Sequence, residues 1–377
     1  MKYFTFIIVV FALIFNSCNN KPADKIAENI AVEQSFKYKV ETIVPESEQP
    51  WGMAFLPDGS MLITEKKGVL IHFKNGKKTI VDGLPKIENN GQGGLLDIIL
   101  DPKYKENGWI YFSYAANTEN DNKGSNTTIS RAKLANNKLV NLELLYKATP
   151  NTKNGVHYGS RFAFNKEGFL FFSIGDRGNH KENPQDITRD AGKVYRINPN
   201  GTIPGSNPFF NAKDAKKAIF SYGNRNIQGM AVHPVTGEIW THEHGPKGGD
   251  EINIIKSGKN YGWPKVSYGI NYDGSILTDK NTMPGIENPI HYWVPSIAPS
   301  GMAFVTGNKY PEWKGNLLVG SLKFQYLNRC VLKNNKVVKE EKLLEGLGRV
   351  RNVVQAPDGY IYAAIEFKGI VRITPVN

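Results

Sequence analysis

One unit, a nearly continuous apolar strand, a tight turn and a second strand, recurs six times along this chain, and nothing else in the sequence constrains its fold so strongly. The copies are Gly52-Met53-Ala54-Phe55-Leu56-Pro57-Asp58-Gly59 into Met61-Leu62-Ile63, and Ile98-Ile99-Leu100-Asp101-Pro102 into Trp109-Ile110-Tyr111-Phe112. They continue with Phe162-Ala163-Phe164-Asn165-Lys166-Glu167-Gly168 into Phe169-Leu170-Phe171-Phe172, and Gly229-Met230-Ala231-Val232-His233-Pro234 into Glu238-Ile239-Trp240. The last two are Gly301-Met302-Ala303-Phe304 with Leu317-Leu318-Val319, and Val353-Val354-Gln355-Ala356-Pro357-Asp358-Gly359 with Tyr360-Ile361-Tyr362. Each reads as the inner hairpin of a propeller blade. Further strand-like runs follow, such as Leu70–Phe73 and Lys193–Ile197. Spacings of roughly 40 to 70 residues leave room for four strands per unit. The expected fold is therefore all-β, a six-bladed β-propeller of four-stranded blades spanning residues 37–377. Tyr38–Val44 and Gly369–Ile373 are expected to share one blade and close the ring. A β-sandwich does not explain six copies.

Composition agrees. Forty per cent apolar residues argue against disorder, and 37 Gly with 17 Tyr and 19 Phe suit short strands and turns. The net charge of +12 reads chiefly as a lysine-rich solvated surface. The lysines are evenly spread and no nucleic-acid-binding pattern appears, so no nucleic acid is expected as a partner.

Residues 1–17 read as a targeting segment: Lys2, then an apolar run from Phe4 to Phe15, too short to span a bilayer. Asn16-Ser17-Cys18 resembles a lipoprotein cleavage site, which would leave Cys18 lipidated; ordinary signal-peptide cleavage is the alternative. Residues 18–36 read as a flexible tether. The expectation is an exported protein, a periplasmic or cell-envelope lipoprotein whose membrane contact is only a lipid anchor. Cys330 then remains alone and is expected to be buried and inert.

A propeller gathers the residues flanking its inner strands at one mouth. Here those residues are Gln92 before the second inner strand, His157 before the third, Arg225 and Asn226 before the fourth, and Arg349 and Arg351 before the sixth. Lys323 follows the outgoing strand of the fifth copy. One imidazole among several fixed cations and amides suits an anionic ligand with proton abstraction. Singly, each has a structural reading, a packed histidine or a surface arginine; the joint placement carries the functional one.

Several strings resemble the soluble quinoprotein glucose/sorbosone dehydrogenase family, with a length like its aldose sugar dehydrogenase branch. They are Gly91-Gln92-Gly93-Gly94-Leu95-Leu96, Ser173-Ile174-Gly175-Asp176, Gly223-Asn224-Arg225-Asn226, the stretch from His242 to Glu251, and Lys259-Asn260-Tyr261-Gly262-Trp263-Pro264. They run in register from about residue 40 to the C-terminus. The resemblance implies oxidation of an aldose-type sugar hydroxyl with pyrroloquinoline quinone (PQQ) and calcium. It implies that His157 is the general base, oriented by Asp176, and that Arg225 and Asn226 bond the quinone oxygens with Gln92 near the reacting carbonyl. It makes Lys323, Arg349 and Arg351 the partners of the cofactor's carboxylates. Gly245 and Pro246 would offer carbonyls to calcium, and Glu251 with the carbonyl of Tyr261 would hold a second, structural calcium. The simpler reading of Asp250 and Glu251 is a capped turn. His242 and His244 are expected to be structural or to form pocket wall, since no further ligand supports zinc. The aromatic residues that clamp the sugar in the glucose enzymes have no clear match; Tyr268, Tyr272, Tyr292 and Trp293 are candidates. The electron acceptor stays unassigned. Two rival readings are a calcium-dependent sugar lactonase, which needs a carboxylate-rich axis, and a non-catalytic binding propeller like the family's Hedgehog-interacting relatives.

Overall fold

All six sequence units close into antiparallel four-stranded sheets. The structure, a computed structural model, describes residues 37–117 and 123–376. Blade 1 runs outward from Pro50–Phe55 through Met61–Glu65 and Val69–Lys74 to Lys77–Val81. The inner strands of blades 2 to 6 are Leu95–Leu100, Phe162–Phe164, Ile227–Val232, Pro299–Phe304 and Val350–Gln355. In blade 6 the outermost strand is Tyr38–Pro45, which pairs with Gly369–Pro375 from Tyr38↔Pro375 to Pro45↔Gly369. The ring closes as the sequence predicts. Helix is confined among the described residues to Tyr104–Asn107 and a 3-10 turn at Pro311–Trp313. Cys18 and the expected leader and tether lie outside the described residues.

The strands read as continuous apolar runs because each blade is covered on both faces by its neighbours. The core is accordingly divided into layers between blades. Val44, Met53, Ile63, Tyr362 and Ile370 fill the junction of blades 6 and 1, and Trp240, Ile252, Phe304, Leu317 and Cys330 fill that of blades 4 and 5. Cys330 is buried and free, as expected.

Five of the six inner hairpins carry a register shift near the start of the inner strand: at Pro50/Gly52, Leu95/Ile98, Ile227/Gly229, Ser300/Met302 and Val350/Asn352. Such bulges bend the strand and re-aim its end. The axis itself is closed by Arg161. Its guanidinium donates to Gln228 O (2.7 Å), Arg351 O (3.0 Å), Trp51 O (3.3 Å) and Asp97 Oδ1 (3.2 Å), and lies 3.8 Å over the Trp51 ring. One side chain thus ties its own blade to four others, and two separate mouths remain.

Candidate active site

The mouth at the start of the inner strands holds a cavity of about 250 Å³. Its walls include Trp51, Lys66, Gln92, Asn226, Gln228, His244, Arg349 and Arg351. These come from blades 1, 2, 4 and 6, distant in sequence, as the ring geometry requires. His157 borders it: its backbone N–H donates to Gln92 Oε1 at 2.8 Å, and the next residues, Tyr158 and Gly159, line the wall.

His157 is built into place at some conformational cost. Its φ is 54°, in the left-handed region that non-glycine residues rarely occupy. The loop before it is pinned by buried Arg177, which donates to Asn154 O (2.6 Å) and to Val156 O while stacking 3.5 Å from the Tyr158 ring. Asp176 Oδ1 accepts from His157 Nδ1 at 2.6 Å and from Gly178 N at 2.8 Å; its Oδ2 accepts from Trp263 Nε1 at 2.9 Å. The close approach depends on Gly175, where a Cβ would stand 2.4 Å from His157 O and 2.7 Å from Asn226 Oδ1.

Electrostatics set the roles within the pair. Burial presses the His157 pKa below its ordinary value and Arg225 presses the same way, outweighing the raising effect of Asp176. For Asp176, burial works upward, but the His157 hydrogen bond and charge, with Arg225, bring it below the ordinary carboxylate range. The pair is therefore a neutral imidazole with Nδ1–H on a carboxylate, leaving Nε2 as the basic nitrogen.

Arg225 lies 5.3 Å over the Trp263 ring and donates to His244 O at 3.2 Å. Asn226 Oδ1 accepts from Gly159 N (3.1 Å) and Gln228 Nε2 (3.3 Å), so its NH2 is the group left for the cavity. Arg349 and Arg351 share one buried carboxylate, Glu366. Arg349 Nε reaches Oε2 at 2.7 Å, and Arg351 reaches Oε1 at 2.9 Å through Nε and 2.5 Å through Nη2. Lys323 is exposed at the rim, one residue beyond Leu322, which lines the cavity; its ammonium lies over the Phe324 ring. His242 and His244 are structural, bonding Gly301 O (3.0 Å) and Pro299 O (2.7 Å) of blade 5, and His244 is also cavity wall.

Behind His244 lies a second, acidic pocket. It is bordered by Glu243 and Arg225, by Gly245, expected at the first calcium and adjoined by Pro246, and by Glu251 and Tyr261, expected at the second. Glu243 and Glu251 are direct cross-strand partners, and Asn253 Nδ2 bridges them at 3.3 and 3.2 Å. Like charges so placed repel. Burial first, and for Glu251 then the charge of Glu243, hold both well above the ordinary carboxylate range. Asn224 Oδ1 and Asn253 Oδ1 are buried without partners. Glu243 and Glu251 are hard-oxygen donors of the kind calcium takes, and a cation between them would relieve their repulsion, so the carboxylate pair fits the ion. Asp250, by contrast, does cap the turn, accepting from Gly245 N (2.9 Å) and Ala298 N (2.9 Å).

Sequence reasoning missed Lys66, Glu243, Glu366 and Arg161. Lys66 had a signal, since it follows an outgoing strand as Lys323 nearly does. Of the proposed clamp residues, Trp293 is buried and donates to Glu340 Oε2 at 2.7 Å, which removes it. Tyr268 and Tyr292 stack at 3.8 Å, with Tyr292 paired to Glu251, and Tyr272 is exposed.

Comparison with known proteins agrees with this geometry. The Glucose / Sorbosone dehydrogenase family matches residues 47–372. The aldose sugar dehydrogenase YliI of Escherichia coli (strain K12) is 36% identical over 346 residues, covering 90% of this chain and 93% of that protein. Among solved structures, the apo form of the soluble aldose sugar dehydrogenase from Escherichia coli superimposes with a TM-score of 0.85 at 34% identity, covering 90% of this chain and all of that one. The PQQ-bound aldose sugar dehydrogenase from Streptomyces coelicolor does so with a TM-score of 0.73 at 25% identity, covering 91% and 99%. This chain belongs to the glucose/sorbosone dehydrogenase family and is an oxidoreductase of its sugar dehydrogenase type.

Proposed function

We propose that the chain oxidises an aldose-type sugar to the lactone at the cavity beside His157, using pyrroloquinoline quinone and calcium. The observation that carries this is the His157–Asp176 pair, strained and desolvated, next to a cavity lined by cations. Those residues suit a planar polyanion: Arg349, Arg351 and, at the rim, Lys323 meet carboxylates, while Arg225, Asn226 and Gln92 meet carbonyl oxygens. When bound, the quinone supplies a two-electron hydride acceptor and calcium the Lewis acid that polarises it. The remaining work falls to the chain. His157 Nε2 takes the proton of the sugar hydroxyl as the hydride leaves the same carbon. Asp176 holds the imidazolium that results, and Trp263 keeps the carboxylate in its orientation. Arg225 and Asn226 present fixed donors where negative charge grows.

The lactonase alternative needs carboxylates on the axis. Here the axial Asp97 is held by Arg161, and the acidic pair lies off-axis behind His244. The test is reconstitution of purified protein with calcium and the quinone, followed by dye reduction across aldoses. Sugar-dependent reduction that vanishes in His157→Asn is expected; no reduction, with no spectral change of the quinone on mixing, overturns the reading. The expected export rests on residues 1–18. Cys18→Ser should release the protein from the membrane fraction of cells, and a protein soluble with Cys18 intact overturns the lipid anchor.

A further inference from the structure

We infer that Lys66 is a cofactor-binding residue, the cation that meets a carboxylate of the bound polyanion on the blade 1 side of the cavity. The inference rests on the functional reading above. In four blades one ring position is defined by a backbone bond to the residue just ahead of the inner strand. Lys66 N donates to Gln49 O (3.0 Å), His244 N to Asn226 O (3.1 Å), Leu322 N to Ala298 O (3.0 Å) and Glu366 N to Arg349 O (3.0 Å). Three of these residues line the cavity, and the fourth, Glu366, anchors its two arginines. Lys66 is the cation of that set, and the scaffold that places it at the mouth is the one that places His244 and Leu322 there.

The surroundings of Lys66 are those of a binding group. Glu366 is saturated by Arg349 and Arg351, and among the described residues the ammonium of Lys66 hydrogen-bonds a neutral acceptor, Asn89 Oδ1 at 2.9 Å. Three cations against one carboxylate leave this wall with an excess of two positive charges. Burial, and then the charge of Arg351, press the Lys66 pKa below the ordinary lysine value. Half-buried cations in excess of their counter-charge cost the empty protein stability, and an anion seated between them returns it. The backbones of the Lys66 loop and of the segment around Gln92 also pack closely. A Cβ on Gly94 would sit 2.0 Å from Lys66 O and 2.9 Å from its Cγ, so the glycines around Gln92 admit Lys66 as well as delivering Gln92 to His157.

The experiment compares wild type, Lys66→Met and Lys66→Arg as apoproteins. Each is titrated with pyrroloquinoline quinone and calcium while quenching of tryptophan fluorescence is followed; Trp51 lines the cavity. Lys66→Met should raise Kd about tenfold or more, the scale of one charge-assisted hydrogen bond. Lys66→Arg, which keeps the charge, should stay within about threefold of wild type. The apoprotein of Lys66→Met should melt at or above the wild-type temperature, a result that a merely structural lysine would not produce. A Met variant that binds like wild type, or whose apoprotein melts lower, overturns the assignment while leaving the dehydrogenase reading intact. Wild-type protein that binds no quinone removes both.

Discussion

The two mouths of this propeller are ends of the same six inner strands, yet only one of them gathers an excess of cations beside a histidine. The far mouth encloses about 290 Å³ and is lined by Met53, Phe55, Met230, Met302 and Val354, with the paired Asp97 and Arg161 at its base. The near mouth carries Arg349, Arg351 and Lys66, with His157 at its border. At the far end the inner hairpins turn back on themselves, in blade 1 through the short loop Pro57-Asp58-Gly59. At the near end the chain passes between blades, and those segments carry the left-handed His157 and buried Arg225. A repeated scaffold thus carries its catalytic base and its cluster of cations at one mouth.

Arg161, which separates the mouths, offers the largest test of that contrast. Arg161→Met leaves Asp97 buried and unpaired, and urea unfolding should show a loss of about 3–5 kcal/mol; adding Asp97→Leu should recover much of it. His157→Asn, which tolerates the left-handed backbone, should lower kcat of the reconstituted enzyme by about 10²–10⁴ with little change in melting temperature. Calcium at a hundredfold its Kd should stabilise the protein by about 2.7 kcal/mol, and Glu251→Gln should abolish most of that shift in a thermal melt. The pH profile of kcat/KM comes next. Because the folded protein holds His157 below its ordinary pKa, the base stays neutral to lower pH, and the acid limb should lie below about pH 6.5. Arg225→Met should move that limb upward, since Arg225 disfavours the imidazolium. The smallest effect is expected at the far mouth, where Met302→Leu should cost less than about 1.5 kcal/mol and leave activity unchanged.

Much of the near mouth was legible before any coordinates. Gln92, His157, Arg225, Asn226, Arg349 and Arg351 all flank inner strands, and strand flanks converge in any ring of blades, so their meeting follows from the repeat. The acidic pocket was half legible. Glu251 stood out in its motif, but Glu243 reads as an ordinary strand-end residue until cross-strand register sets it opposite. Lys323 and Lys66 show the same limit. Both trail outgoing strands, and a one-residue difference in register leaves Lys323 exposed at the rim while Lys66 lines the wall.

By itself the sequence determined the six hairpins, the closure between Tyr38–Pro45 and Gly369–Pro375, and which residues stand at blade mouths. Strand alternation, turn residues and repeat spacing act over a few neighbouring positions and can be read in order. Only the tertiary structure decided which charges are neutralised, which stay unpaired and what closes the axis. The pairs Glu243–Glu251, Glu366 with Arg349 and Arg351, and Arg161–Asp97 depend on distances across strands and blades, and electrostatic and desolvation energies follow those distances rather than separation along the chain.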